Sequence, residues 1–231
     1  MLIKIGAGDL ALLAADRARE CARRSGDRAD LGMATYQVVC ALLPSARAPI
    51  AEDLAVRTAE GLGEDDEAVL SVAGALWLIA AVAAARRGDG DAAGERLDRA
   101  QHLADALGRD ANLRWTAFGP TNVTAHRVSV AAEMGDASAA LAAADVLDVH
   151  SFDPALRSRR VQVGLDLAWA HTCRRHDADA VLALLDVERQ APEVVRHNVY
   201  ARSTIGTPLG RARGSTGGHV QALAARSSVA L

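Results

Sequence analysis

The feature that most constrains this chain is a recurrence. A helix-start signal, Asp or a small residue followed by an alanine-rich amphipathic run, returns at nearly fixed intervals. It reads GDLALLAADRARECARRSG from Gly8, PIAEDLAVRTAEGLG from Pro49 and GDAAGERLDRAQHLADALG from Gly90. It continues as GDASAALAAADVLDV from Gly135 and HDADAVLALLDVERQAP from His176. The starts at 8, 49, 90, 135 and 176 lie 41, 41, 45 and 41 residues apart. A period on this scale marks stacked supersecondary units, none of which can bury its apolar face alone.

Each unit divides into two helical patterns. In the third, Ala93, Leu97, Ala100, Leu103, Ala104 and Leu107 step by three and four residues, and Gly108 stands where a helix C-cap belongs. Asp110 precedes a second run, Leu113 to Met134. In the fourth, Asp153 is placed to cap a helix with Pro154 at its first position, running through Trp169 to about Arg175. Short links make successive helices antiparallel neighbours. No stretch reads as a strand with hairpin turns. Half the residues are apolar but only 3% aromatic, which suits closely packed helices better than a sheet. The expected architecture is all-α: an α-solenoid of antiparallel helix pairs, tetratricopeptide-like but with a period above the usual value of about 34 residues. The array is expected over 8–213. Pro208 and the five glycines between Gly206 and Gly218 predict a flexible tail over 214–231, with at most a short helix from His219. The first unit begins after only seven residues, which reads as the later part of a longer protein or a variant without its front.

Several function classes are set aside by what the chain carries. With 26 basic and 29 acidic residues, its net charge of −3 offers no global field for nucleic acid or an anionic membrane. The charge is uneven: residues 1–150 hold 15 basic and 22 acidic residues (−7), and 151–231 hold 11 and 7 (+4). No P-loop, dinucleotide-binding glycine motif or nucleophile elbow occurs, and no nucleophile–base pair is visible, so the chain is read as no enzyme and no cofactor is expected. Asp65–Asp66 falls in a polar turn as helix-start charge. Arg157, Arg159 and Arg160 read as a solvated helix face before an anion patch. The densest metal-ligand cluster is His171, Cys173 and His176, but positions 171 and 173 lie about 200° apart around a helix, so no metal site is expected. Cys21, Cys40 and Cys173 are too few for a disulfide framework and read as small core residues in a reducing cytoplasm. The N-terminus meets Asp9 before any long apolar stretch, unlike a signal peptide. Ala68 to Ala85 is eighteen residues without a charge, at the lower limit for a membrane span. Nine of them are Ala or Gly, and the stretch falls on the repeat, which favours a buried core helix.

One segment differs from its surroundings: RWTAFGPTNVTAHRV, Arg114 to Val128. Trp115, Phe118, Asn122 and His126 are spaced by three, four and four residues, the spacing of one helical face. Pro120 within that run predicts a kink and a freed backbone carbonyl. Trp77 precedes Asn122 by 45 residues and is expected in the equivalent place one unit earlier. These five residues are the candidate ligand or peptide groove; the alternative is a packed inter-helix seam with Asn122 capping the freed carbonyl.

The same segment carries a resemblance. The run GRDANLRWTAFGPTNVTAHRVSVAAEMGD, preceded by AARRGDGDAAGERLDRAQHLADALG, resembles the C-terminal helical-repeat region of actinobacterial helix-turn-helix transcriptional regulators of the Xre type. GDLALLAADRARECARRSGD is similar to the family's opening repeat and APEVVRHNVYAR to its last. The resemblance covers about residues 8–213, with W-T-x-F-G-P-T-N-V-x-x-H as its most specific string. It implies a regulatory module that senses a small-molecule effector or peptide, or dimerises. The family's N-terminal DNA-binding domain has no counterpart here, so direct DNA binding is not implied. The other reading is a free-standing scaffold that binds a protein partner through a concave face. In either case the expected setting is cytoplasmic, away from the membrane.

Overall fold

The structure is a computed structural model and describes residues 8–43, 47–63, 66–147, 157–211, 213–227 and 229. Among the described residues it is all-helical, with twelve α-helices and no strand. The chain divides into two compact units, one ending at Met134 and the other starting at Gly135.

Unit 1 contains α1 (Gly8–Ser25), α2 (Arg28–Leu42), α3 (Ala48–Leu62), α4 (Glu67–Arg86), α5 (Gly90–Leu107), a single 3-10 turn (Leu113–Trp115) and α6 (Pro120–Glu133). Its centre is α4. Every residue from Val69 to Ala85 is buried, and α2, α3, α5 and α6 all pack on this helix. Among the described residues α4 is the one helix long and apolar enough to cross a membrane, and here protein covers its apolar faces. On α5 the buried residues are Ala93, Leu97, Ala100, Leu103, Ala104 and Leu107, the full periodic set read from the sequence, and Gly108 ends the helix in the left-handed region. Glu52 of α3 is buried and accepts from Arg87 at 2.7 Å and Arg96 at 2.9 Å, tying α3 to the end of α4 and to α5.

Unit 2 contains α7 (Ala137–Asp145), α8 (Arg157–Cys173), α9 (Asp177–Gln190), α10 (Pro192–His197), α11 (Val199–Arg211) and α12 (Gly214–Arg226). Its core joins Val161 and Leu165 of α8, Val181, Leu184 and Val187 of α9, Ile205 of α11, and Val220 and Leu223 of α12. Gly164 lets α9 approach closely, since a Cβ there would lie 2.6 Å from Val187 Cγ2. The expected cap at Asp153–Pro154 lies outside the described residues, and α8 is described from Arg157.

The recurring start signals correspond to helix starts. Helices α3, α5, α7 and α9 begin at Ala48, Gly90, Ala137 and Asp177, within two residues of the expected positions, and α1 is described from Gly8. Part of the reason is a turn used three times. Gly26, Gly88 and Gly135 stand in the left-handed region that glycine adopts without strain. The next residue, Asp27, Asp89 or Asp136, accepts a hydrogen bond from the backbone N–H three residues on. Asp66, the acidic helix-start residue of the sequence reading, accepts from Ala68 and Val69 N–H in the same role.

Three expectations are corrected. Residues 214–226 form helix α12, whose Val220, Leu223 and Ala224 are buried, rather than a loose tail. Tertiary burial there outweighs the helix-weakening glycines. Pro208 lies inside α11 and is itself buried. Cys21 and Cys173 are exposed and Cys40 half-buried, so none of the three is a fully enclosed core residue.

Candidate functional site

The segment between α5 and α6 does not continue as a kinked helix. Pro120 begins α6 at its first turn, where its missing N–H costs nothing, and the chain before it is a structured loop. Gly119 is what permits the junction. Its φ of 159° and ψ of −176° belong to a region only glycine occupies freely, and a Cβ there would lie 2.5 Å from Asp110 Cα and 2.7 Å from Arg109 O. Asp110 reaches forward to accept from Thr121 N–H at 3.0 Å, capping α6 from eleven residues upstream. Ala111 N–H donates to Phe118 O at 2.9 Å, and Ala117 N–H to Asn112 Oδ1 at 3.0 Å.

The loop departs from helical spacing, and so do the residues read onto one face. Phe118 is fully buried, its ring seated on the bare backbone of Gly74 in α4. Asn122 and His126 are buried on α6. Asn122 Nδ2 donates to Ala117 O at 3.0 Å, and Asn122 O lies 2.8 Å from His126 Nδ1. All three are buried, and Asn122 satisfies the loop carbonyl of Ala117; the mid-helix carbonyl that the alternative reading had it cap does not arise, because Pro120 starts the helix. Trp115 is elsewhere. Arg114, Trp115 and Ala117 have φ values of 50°, 63° and 48°, and Trp115 stands 86% exposed. Arg114 anchors this strained loop through Asp27 at 2.9 Å and Asp30 at 3.0 Å, at the start of α2. The five candidate residues therefore do not line one concave groove.

Trp77 does line an opening. Between α3, α4 and α5 lies an open cleft of about 230 Å³, walled by Ala59, Glu60, Gly63, Ala73, Trp77, Arg99, His102 and Leu103. Of these residues Ala59, Ala73, Trp77 and Leu103 are buried, and Glu60, Arg99 and His102 are exposed. Among the described residues Arg99 holds no ion pair. Trp77 was the one residue of this cleft legible from the sequence. The others sit on three helices, and no spacing within any one helix brings them together.

The histidines are also placed differently from the sequence reading, which expected no metal site. His171, His176 and Asp179 offer ligand atoms all within 4.8 Å of one another, and the rings of His171 and His176 are 5.9 Å apart. His171 Nδ1 is buried without a hydrogen-bond partner. Burial pushes the His171 imidazole below its ordinary range, Asp179 draws it up, and His176 pushes it down again. The suggested arginine patch is not a free anion site throughout, because Arg157 donates to Gln190 O at the end of α9.

No family model, curated protein or solved structure matches this chain.

Proposed function

We propose that the chain is a regulatory helical-repeat module that acts by binding rather than by chemistry. In this reading it is the effector-sensing part of an Xre-type transcriptional regulator in the cytoplasm, its helix pairs stacked as a tetratricopeptide-like α-solenoid. Four helix starts, at 48, 90, 137 and 177, recur at a near-constant interval and support the stacking. The observation that carries the function is the cleft at Trp77. An indole wall with one guanidinium, one imidazole and one carboxylate around it suits a small ligand having an apolar body and an anionic group. At about 230 Å³ the cleft is smaller than drug-sized ligand sites, which run to roughly 300–1,000 Å³, so it fits a small effector or one side chain of a peptide.

The test is a thermal-shift screen of carboxylate- and phosphate-bearing small molecules and short acidic peptides. Binding to the native state raises the melting temperature. A hit that stabilises the parent but neither Arg99→Ala nor Trp77→Ala supports the cleft. Hits indifferent to both substitutions, or an empty screen, count against it. By the same reading, the chain alone does not bind duplex DNA specifically, and sub-micromolar affinity for a defined operator at physiological salt would overturn that.

Trp115 favours a second reading, a partner-binding scaffold or a homodimer. Three non-glycine residues held at positive φ keep a large aromatic in solvent, and buried aromatics are the usual anchors of protein interfaces. Light scattering on the parent and Trp115→Ala separates these outcomes. A dimer that dissociates in the variant supports self-association, and a monomer in both removes it.

A further inference from the structure

The turn between α8 and α9 departs from its siblings in a chemically specific way. Its backbone follows a regular helix-ending motif: Arg175 N–H donates to Thr172 O at 3.2 Å, and His176 N–H to His171 O at 2.9 Å. That pairing brings together the side chains of the residue beyond the turn and the residue five before it, a place normally taken by an apolar contact. The α4–α5 turn is built the same way, with Gly88 N–H donating to Ala85 O and Asp89 N–H to Ala84 O.

The comparison is positional. Where α2, α5 and α7 have Asp27, Asp89 and Asp136 as N-cap, α9 has His176. Five residues earlier the chain has Ala22, Ala84 and Ala131 in those cases and His171 here. The left-handed residue is Gly26, Gly88 and Gly135 in the others and Arg175 here, at φ 60°. The α8–α9 turn has thus given up both the glycine that suits its backbone and the carboxylate that caps the helix. In their places stand two imidazoles, juxtaposed by the turn. His176 makes no side-chain cap hydrogen bond. Asp179 is three residues into α9, on the N-cap side, so its carboxylate turns back toward the His176 ring.

We propose that His171, His176 and Asp179 bind a divalent transition-metal ion of the zinc class. Two imidazole nitrogens and one carboxylate oxygen are ligands this class prefers. Zinc bonds of about 2.0–2.2 Å need ligand atoms nearer together than 4.8 Å. That closure falls to His176 and Asp179, whose side chains are exposed. No hydrogen bond holds Nδ1 of His171 elsewhere. The neighbouring Asp177 is engaged by Arg211 at 2.6 Å, and Arg211 also donates to Thr172 O at 2.5 Å. Arg211 is thus paired with Asp177 and not with Asp179. Three protein ligands leave a coordination position for water or an exogenous ligand. The bound ion would staple the end of α8 to the start of α9. This inference does not rest on the regulator reading, because the cleft at Trp77 belongs to the other unit.

The full chain, purified without a histidine tag, is titrated near neutral pH with zinc chloride by calorimetry and with cobalt(II) by visible absorption. The expected result is one equivalent bound and cobalt bands of low-symmetry coordination. His171→Ala installs the residue that the sibling turns already carry, so the fold is retained. It and Asp179→Asn should each weaken binding at least about ten-fold. His102→Ala and His219→Ala should leave binding unchanged. Absence of binding at millimolar metal, or equal binding by the parent and the His171→Ala and Asp179→Asn variants, overturns the assignment.

Discussion

Gly74 lies in the middle of α4, where helix propensity alone predicts that alanine would stabilise the protein by about 1 kcal/mol. The structure predicts the opposite sign. A Cβ at this position would fall within 2.5 Å of Phe118 Cζ, Cε2 and Cε1. These are atoms of a rigid ring, not the end of a flexible chain. Phe118 is fully buried, and the backbone beside it is pinned by the Ala111–Phe118 hydrogen bond and by the tight packing of Gly119 on Asp110. The ring has nowhere to go without moving the loop. Inserting a methyl group into such a contact costs about 1–3 kcal/mol. Set against the propensity gain of about 1 kcal/mol, that clash leaves Gly74→Ala destabilised by up to about 2 kcal/mol. Urea unfolding followed by far-ultraviolet circular dichroism measures it. The decisive control is a double-mutant cycle. Phe118→Leu removes the ring, and in that background Gly74→Ala should become neutral or stabilising, which isolates the pairwise clash. If Gly74→Ala stabilises the protein with Phe118 intact, the packing of the loop against α4 is wrong.

Other outcomes follow from the same structure. Asn122→Ala should cost about 1–3 kcal/mol, because it removes a buried hydrogen bond to Ala117 O, whereas Trp115→Ala should stay within about 0.5 kcal/mol of the parent. Equal effects in thermal melts would contradict the placement of the two side chains. Leu78→Asp puts an unpaired charge into α4, costs several kcal/mol and should leave unit 1 unfolded at room temperature by near-ultraviolet circular dichroism. The His171 imidazole is held below its ordinary value of 6.5, chiefly by burial. As pH falls below that value the unfolded chain takes up a proton before the folded one, so this group's contribution turns against folding until its folded pKa is passed. In metal-free buffer, the stability difference between the parent and His171→Ala, measured by denaturant titration from neutral pH to about pH 5, should therefore shift against the parent. A difference independent of pH would refute it.

Helical class, helix starts and the inward face of α5 were all legible in the sequence. They are local properties: a three-and-four spacing of apolar residues, a glycine at a left-handed position, and an aspartate one place later act within a single turn of chain. The fate of the uncharged helix α4 was legible too, since so many alanines and glycines suit burial among neighbouring helices. The face of α12 was present in principle, because Val220, Leu223 and Ala224 keep a helical step, but Gly214, Gly217 and Gly218 obscure it. What forms that helix is burial against α9 and α11, a non-local term that propensity does not contain. The groove failed for a related reason. Spacings of three and four imply one face only while the backbone is helical, and three positive φ values before Gly119 send Trp115 to solvent and Phe118 into the core. Reading positions 171 and 173 along one helix likewise placed them on different sides of it. The backbone reversal at Arg175 instead returns His176 to His171, a pairing set by a turn and not by any period. The cleft at Trp77 depends on three helices packing side by side, so only the tertiary structure could bring Glu60, Arg99 and His102 around one indole.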